Sequence, residues 1–228
     1  MTRQFLIIDA DDTLWENNIY FERAFGDFVE FLDHSSLTPL QVRDVLDEIE
    51  AANALIHGYG TLNFARNLRL CYRRLAERHV CDEDLDTVAA FAESILECPM
   101  ELIEGVAETL EYLAARHDLT LFTKGHVEEQ KLKIDRSGLG SFFAHTAIVK
   151  EKDAPAYREL VASRCMNPAR TWMIGNSPKS DINPALEAGL NAVFVPHAHT
   201  WILEKQEIRP GAGKLIRVER FADLREHF

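Results

Sequence analysis

Cysteines, basic residues and long apolar runs are all scarce in this chain. Its 228 residues include four cysteines, with no CxxC pair and no zinc-like spacing, so we expect neither a disulfide framework nor a zinc site. Lys and Arg number 25 against 37 Asp and Glu, and the net charge of −12 repels nucleic-acid phosphates and anionic lipid. These deficits argue against a nucleic-acid polymer or a membrane as a partner.

The N-terminal region has no pattern typical of a targeting signal. Its apolar run, 5–8, is too short for a signal peptide or a transmembrane span. Scattered cysteines favour free thiols in a reducing compartment, so we predict a soluble, cytoplasmic protein. Hydrophobic residues make up 46% of the chain, which is enough for a substantial core. The sequence gives no basis for predicting the oligomeric state.

Short apolar or β-branched runs recur along the chain, and each ends at polar residues. Such continuous runs are typical of strands that are buried on both faces of a parallel sheet. Helical patterns lie between them, and this alternation predicts a doubly wound, Rossmann-like α/β sheet. The predicted strands are 5–8, 119–122, 146–149, 171–174 and 192–195.

A long stretch after the first predicted strand contains no convincing strand. Its Thr38–Gln41 segment has the pattern of a capping box at the start of a helix. We therefore predict a helical cap domain over 16–98, inserted into an α/β core that consists of 1–15 and 99–228. Apolar residues on one face of its first helix are Phe21, Phe25, Phe28 and Leu32.

Polar side chains follow the predicted strands, at the edge where open parallel sheets bind ligands. They include two carboxylates one residue apart, a hydroxyl group and an ammonium group. Such a set suits a phosphoryl group and a hard divalent cation. Its members are Asp9, Asp11, Thr13, Thr123, Lys124, Gly125, Lys152, Asn176 and Asp181.

These segments resemble the motifs of the haloacid dehalogenase-like hydrolase superfamily. The run Asp9-Ala10-Asp11-Asp12-Thr13-Leu14 after an apolar strand is similar to the first motif. Thr123, Lys152 and the stretch 175–181 follow in the order of the remaining motifs. The helical insertion is similar in position and character to the helical cap of that family.

The resemblance implies a Mg²⁺-dependent phosphatase of small phosphorylated metabolites. Asp9 would attack phosphorus and form an aspartyl-phosphate, and Asp11 would act as general acid and then general base. Asp9, Asp181 and the backbone carbonyl of Asp11 would bind Mg²⁺, with Asn176 at a position that is often aspartate in the family.

The resemblance also implies a phosphate-binding set. Thr123 and the amide groups of Lys124 and Gly125 would hold phosphate oxygens, and Lys152 would neutralise charge. Lys150 lies two residues earlier, and Lys152 is preferred because the residues after it match the family pattern.

Two aromatic residues are further candidates for substrate binding. Trp15 directly follows the catalytic loop, and Tyr59 lies in a glycine-rich turn of the helical insertion. The segment His197-Ala198-His199 is predicted to be a polar loop, because no further ligand with metal-site spacing lies nearby. No role is derived for Trp201.

Three further hypotheses stay open beside the phosphatase. A phosphomutase uses the same pair of carboxylates. Dehalogenases of the family attack carbon and usually lack a carboxylate at the position of Asp11, so Asp11 favours phosphate chemistry over a 2-haloacid dehalogenase. The third hypothesis is a non-catalytic protein that binds a phosphorylated ligand or has a regulatory role. Asp12 also departs from the family pattern, which often has glycine there.

Overall fold

The computed structural model describes residues 2–228, except for the side chain of Leu55. The strands are β1 (Phe5–Ile8), β2 (Asp118–Lys124), β3 (His145–Val149), β4 (Thr171–Gly175), β5 (Asn191–Phe194) and β6 (Leu215–Arg217). The α-helices are α1 (Asn18–Leu32), α2 (Pro39–His57), α3 (Thr61–Leu75), α4 (Asp82–Glu93), α5 (Val106–Ala114), α6 (Val127–Ser137), α7 (Ala154–Ser163) and α8 (Asn183–Glu187).

The strands form one parallel sheet in the order β3-β2-β1-β4-β5-β6. β1 is central, and its last residue, Ile8, is in register with Leu121 of β2 and Ile174 of β4. The chain therefore winds outward from β1 in both directions, which confirms the predicted doubly wound α/β fold. The loops after β1, β2 and β4 meet at one edge of the sheet.

Both faces of the sheet are covered by helices, which explains the continuous apolar runs. Side chains of successive strand residues point to opposite faces. Leu6 and Ile8 accordingly belong to one apolar cluster, with α5 residues such as Leu110, whereas Ile7 belongs to another, with Tyr157 of α7. β1 is thus buried on both sides and holds the residue that follows it in a fixed place.

The sixth strand was absent from the prediction. β6 has three residues, lies at the sheet edge and pairs only with β5 among the described strands. Leu215 is 46% exposed. A strand this short and this exposed carries almost no apolar pattern, so its pairing with β5 could not be inferred from sequence.

The helical unit has an apolar core of its own. The predicted stripe on α1 is confirmed, since Phe25, Phe28 and Leu32 are buried in one cluster and Phe21 packs against it. The predicted capping box is also confirmed. Gln41 N donates to Thr38 Oγ1 (3.4 Å), and the Gln41 side chain accepts from Thr38 N (2.9 Å).

The chain divides into two compact units. One comprises the chain up to Asn18 and again from Met100 to Phe228, and the other is Ile19–Pro99. This division follows Asn18, three residues after the predicted bound at residue 15. The amide groups of Asn17 and Asn18 are hydrogen-bonded to Asp12 in the loop after β1.

None of the described helices has the combination of length and apolarity that crossing a membrane requires.

Candidate active site

The loop after β1 is a tight turn closed by backbone hydrogen bonds. Asp9 N extends the sheet by donating to Ile174 O of β4 (2.9 Å). Leu14 N donates to Ala10 O (2.8 Å), so the chain reverses directly after the strand. This turn fixes Asp9 at the carboxyl edge of the sheet.

Asp12 occupies a backbone conformation that favours glycine, with φ 57°. Its Oδ1 accepts hydrogen bonds from Asn17 N (2.9 Å) and Asn18 N (3.0 Å) at the start of α1. Burial raises the pKa of Asp12 to about 7, although the bonds from Asn18 and Asn17 oppose the rise. The side chain of Asp12 thus caps α1 at a position where the family often has glycine.

Lys152 lies between two buried carboxylates. Its Nζ donates to Asp9 Oδ1 and, at 2.8 Å, to Asp181 Oδ1. The Lys152 side chain is 1% exposed, whereas Lys150 is an exposed residue. Between the two candidate lysines, the structure therefore places Lys152 beside Asp9.

The charges of these three groups affect their protonation. Burial raises the pKa of Asp9 to about 7, with Asp181 as the next contribution and Lys152 in opposition. Burial alone would lower the pKa of Lys152, but Asp181 and Asp9 outweigh it and the pKa is raised. Two carboxylates beside one ammonium group form a site in which a further cation would be stabilised.

The side-chain carbonyl oxygen of Asn176 is linked to Asp9 through the hydroxyl group of Thr13. Its Oδ1 accepts from Thr13 Oγ1 at 3.2 Å, and the Thr13 hydroxyl group is also 3.2 Å from Asp9 Oδ2. Asn176 Nδ2 donates to Thr200 Oγ1 (3.0 Å), which fixes the orientation of the amide.

The oxygens of Asp9, Asp181 and Asn176 form a donor set that fits Mg²⁺. All three residues are buried. They supply two carboxylates and an amide carbonyl, which are the hard oxygen ligands that Mg²⁺ takes in proteins. The predicted binding of Mg²⁺ by the backbone carbonyl of Asp11 stays a prediction.

Thr123 lies near the end of β2 with its hydroxyl group buried. The hydroxyl oxygen accepts from Gln130 Nε2 at 2.5 Å. Since the oxygen accepts this bond, its own hydrogen can be donated to a phosphate oxygen. Gln130 Nε2 also lies 3.2 Å from Asp11 Oδ2, so this amide links the predicted phosphate ligand to the predicted acid.

The Asp11 carboxylate is held by three hydrogen-bond donors. Trp15 Nε1 donates to its Oδ1 at 2.7 Å. Lys133 Nζ lies 3.2 Å from Oδ1 and 3.1 Å from Oδ2, and Gln130 Nε2 contacts Oδ2. All of these groups donate, and together they restrain the orientation of the carboxyl group.

Sequence reasoning missed Gln130 and Lys133. Both lie on α6, three residues apart, which places them on one helical face. The signal was present as two long polar side chains at this spacing after Thr123. Such a pair is also typical of a solvated helix face, so its spacing alone does not indicate a site.

The structure places Trp15 differently from its predicted substrate contact. The residue is 1% exposed and belongs to the core cluster that covers one face of the sheet. Its indole N–H is directed at Asp11. Trp15 therefore orients a carboxylate and has almost no surface to offer a substrate.

The phosphate contacts predicted for the amide groups of Lys124 and Gly125 stay a prediction. Lys124 Nζ lies 2.7 Å from Glu204 Oε1 and 2.9 Å from Ser180 Oγ, so its ammonium group is paired within the protein. Gly125 N donates to Val149 O (3.1 Å) and thereby continues the pairing of β2 with β3. Of this predicted cradle, the Thr123 hydroxyl group is the member linked to Asp11.

Glu204 is the centre of a buried polar network that includes two serines from the segment that carries Asp181. Its carboxylate accepts from Ser177 Oγ (2.6 Å) and Ser180 Oγ, and it is paired with Lys124. Burial alone would raise the pKa of Glu204, but Lys124 and the two serines outweigh it and the pKa is lowered. The network fixes the turn in which Ser177 N donates to Asp181 Oδ2 (2.9 Å).

His197 pairs with acidic residues of the catalytic loop region. Its Nε2 is 3.3 Å from Glu16 Oε2, and its Nδ1 is 3.8 Å from Asp12 Oδ1. Ligand-type atoms of these three residues lie within 4.8 Å of one another. Because Asp12 Oδ1 already accepts two backbone hydrogen bonds, we interpret the group as a polar cluster that joins the loop after β5 to the loop after β1.

Tyr59 belongs to the helical unit. It is partly buried in the turn between α2 and α3, where Gly58 and Gly60 have φ values of 74° and 108°. Its predicted substrate contact stays a prediction.

The comparison with family models identifies the class of protein. Residues 5–189, well over half of the chain, match the haloacid dehalogenase-like hydrolase model. The chain therefore belongs to the haloacid dehalogenase-like hydrolase family, as its motifs predicted. None of the curated proteins matches the chain.

Several solved structures are similar to this chain over nearly its whole length. A haloacid dehalogenase-like family hydrolase from Xanthomonas campestris is 28% identical, with a TM-score of 0.84, covering 99% of this chain and 90% of that one. A magnesium-bound HAD-hydrolase from Bacillus subtilis is 16% identical, with a TM-score of 0.71 and coverage of 100% and 99%. A 2-haloacid dehalogenase from Pseudomonas syringae is 21% identical, with a TM-score of 0.61 and coverage of 99% and 97%.

Replacing Glu204 by Gln tests the network behind Asp181. We expect the free energy of unfolding near pH ~7 to fall by about 2 kcal/mol, because the charge-assisted bond to Lys124 is lost. Because the pKa of Glu204 is lowered, its ionised carboxylate stabilises the folded protein at pH values above the ordinary pKa of glutamate. This stabilisation is lost as the pH falls through the lowered pKa. The difference from wild type should therefore shrink at pH about 3.

Urea denaturation at both pH values measures this effect. Glu207→Gln is the control, because Glu207 is an exposed residue close by, and it should match the wild type. Equal stabilities of the two variants at neutral pH would contradict the role given to Glu204.

Replacing Gly175 by Ala tests the placement of Asp181. A Cβ atom on Gly175 would lie 2.2 Å from Asp181 Oδ2, so the carboxylate must move. We expect Mg²⁺ affinity, measured by isothermal titration calorimetry, to fall by roughly 10- to 100-fold, as when a group that supports a metal ligand is lost. Gly26→Ala, where the added Cβ would meet nothing within 4 Å, should leave it unchanged. Unaltered affinity in Gly175→Ala would show that Asp181 does not bind the ion.

Proposed function

We propose that this hydrolase is a Mg²⁺-dependent phosphomonoesterase of small phosphorylated metabolites. The observation that carries the proposal is the Asp11 carboxylate, two residues after Asp9 and oriented by Trp15, Lys133 and Gln130. Transfer of a phosphoryl group to Asp9 requires a proton for the leaving oxygen, and a positioned carboxyl group supplies one. Attack on the carbon of a haloacid releases halide and needs no such proton.

In the first half of the reaction, a carboxylate oxygen of Asp9 attacks phosphorus. The P–O bond to the leaving group breaks, and protonated Asp11 gives its proton to the departing oxygen. Asp9 is then an aspartyl-phosphate and Asp11 is a carboxylate. The hydrogen bonds from Lys133 and Gln130 stabilise Asp11 in this second, ionised form.

In the second half, Asp11 takes a proton from water, and the water oxygen attacks phosphorus. The bond from phosphorus to Asp9 breaks, so inorganic phosphate leaves and both carboxyl groups return to their starting state. Each half uses Asp11 once, first as acid and then as base.

Cationic groups stabilise the charge that builds up on the phosphoryl oxygens. When bound by Asp9, Asp181 and Asn176, Mg²⁺ supplies positive charge that offsets the negative charge of the phosphoryl group. Lys152, already in contact with Asp9, neutralises the nucleophile and can turn an N–H group to a phosphoryl oxygen. Thr123 contributes a hydroxyl donor.

The helical unit acts as the cap in this proposal and limits substrates to small molecules. The insertion follows the loop after β1 directly in the chain. We place the enzyme in the cytoplasm, where its free thiols stay reduced. Nucleoside monophosphates, sugar phosphates and cofactor phosphates all have the required ester.

The test is phosphate release from an aryl phosphate, with Mg²⁺ and with excess chelator, followed by a panel of metabolite phosphates. Turnover that requires Mg²⁺ supports the proposal. Phosphoryl transfer to a second substrate hydroxyl group in place of water identifies a phosphomutase. Halide release from a 2-haloacid without phosphate release identifies a dehalogenase, and binding of phosphate esters without turnover identifies a binding protein.

Asp9→Asn should abolish turnover while the protein stays folded. The substitution removes the nucleophile and hardly changes the side-chain volume. Phosphate release is measured beside a circular dichroism spectrum, which confirms the fold. Asp27→Asn, at an exposed aspartate, is the control and should keep full activity. Wild-type activity in Asp9→Asn would refute the mechanism.

Asp11→Asn should lower kcat by roughly 10²- to 10⁴-fold, the usual contribution of a positioned acid or base. The proposed phosphate contacts of Thr123 and Lys152 are unchanged by the substitution, so KM for the phosphate ester should change little. Steady-state kinetics on an alkyl phosphate give both constants. A change confined to KM would show that Asp11 binds substrate and does not transfer protons.

A further inference from the structure

Lys133 makes the most extensive contact with the proposed acid. Its Nζ lies 3.2 Å from Oδ1 and 3.1 Å from Oδ2 of Asp11, so one ammonium group spans both carboxylate oxygens. It also donates to Asn17 Oδ1 at 2.8 Å. The side chain is 15% exposed, and Glu129 Oε1 lies 3.6 Å from the same nitrogen.

These contacts differ from those of an ordinary surface ion pair. An exposed lysine pair contributes little, because holding two flexible side chains in one geometry costs conformational entropy. Lys133 is held by several acceptors at once and is largely removed from water. Its ammonium group is therefore fixed before any substrate arrives.

The site thus contains two ammonium groups with separate partners. Lys152 contacts Asp9 and Asp181, the nucleophile and the predicted metal ligand. Lys133 contacts Asp11, the proposed acid and base. Neutralising Asp9 is therefore the task of Lys152, and Lys133 acts on proton transfer alone.

Resting on the phosphatase function proposed above, we infer that Lys133 is a positioning residue that holds Asp11 in the orientation for proton exchange with the leaving oxygen. Trp15 fixes one oxygen of Asp11 and Gln130 the other. Gln130 Nε2 has two hydrogens for three acceptors, which are Thr123 Oγ1, Lys124 O and Asp11 Oδ2. Without the bridging Lys133, the Oδ2 oxygen is therefore held weakly, and the carboxyl plane can rotate about the bond from Trp15.

This role has a consequence for substrate choice. A phenolate with electron-withdrawing groups leaves without much help from an acid, whereas an alkoxide requires a proton as the P–O bond breaks. Loss of proton positioning should therefore slow alkyl esters and spare activated aryl esters. A merely structural role would slow both classes alike.

The experiment compares Lys133→Met with the wild type on 4-nitrophenyl phosphate and on an alkyl phosphate that the wild type hydrolyses. The quantity compared is kcat/KM, which covers the steps up to departure of the leaving group and excludes the hydrolysis of the aspartyl-phosphate that both esters share. We expect kcat/KM for the alkyl ester to fall by roughly 10- to 100-fold, a part of the contribution of a positioned acid. For the aryl ester we expect kcat/KM to fall by about threefold or less.

Lys131→Met is the matched control. Lys131 lies on the same helix, pairs only with Glu128 among the described ion pairs, and has a side chain that is 58% exposed. It should behave as wild type on both esters. Lys133→Arg keeps a donating cation. It should hydrolyse the alkyl ester at least tenfold faster than Lys133→Met, a factor well inside the range of a positioned acid.

If Lys133→Met does not fold, Lys133→Gln replaces it, since an amide suits the same polar surroundings and lacks the charge. An equal loss on both esters, or no loss on the alkyl ester, overturns the role of Lys133 and leaves the phosphatase function standing. Absence of phosphate release from the wild type, or full activity in Asp9→Asn, overturns the phosphatase function and this inference together.

Discussion

The ammonium group of Lys152, set between Asp9 and Asp181, is the interaction on which the site depends. β1 and β4 are neighbours in the sheet, so their parallel register brings two carboxylates to one buried place. Two such charges repel each other strongly where water is excluded. Lys152 makes their proximity tolerable. The pKa of Asp9 is still raised, first by burial and then by Asp181. A further cation at this place would offset the remaining negative charge.

The sequence was sufficient for the fold class and for five of the six strands. A strand buried on both faces has an unbroken apolar run, so the position of Asp9 after β1 could be read from its neighbours. Parallel topology then implied that Thr123, Lys152 and Asp181 share one edge. The helical insertion was equally legible, because its first helices carry an apolar stripe and a capping box that depend only on local spacing.

The sequence did not predict the directions in which long side chains point. Lys124 follows Thr123 in the motif, yet its ammonium group turns to Glu204, a partner 80 residues further along the chain. Trp15 was predicted to bind substrate from its position after a loop, but tertiary packing buries it and directs its indole N–H to Asp11. Lys133 reads as one helical lysine among several. Such choices depend on which acceptors the folded chain brings within reach, and no local pattern encodes them.

The positions of the site residues along the chain affect the order in which the active site assembles during synthesis and folding. Lys152 lies 143 residues after Asp9, so during synthesis the nucleophile emerges long before its counter-ion. β1 must likewise wait for β2 and β4, and such non-local pairing forms slowly. The residues of the helical unit's core all lie before Pro99. The chain of the insertion is therefore available for folding while β1 is still unpaired, and Asp9 gains its contact with Lys152 only after β2 and β3 have been synthesised.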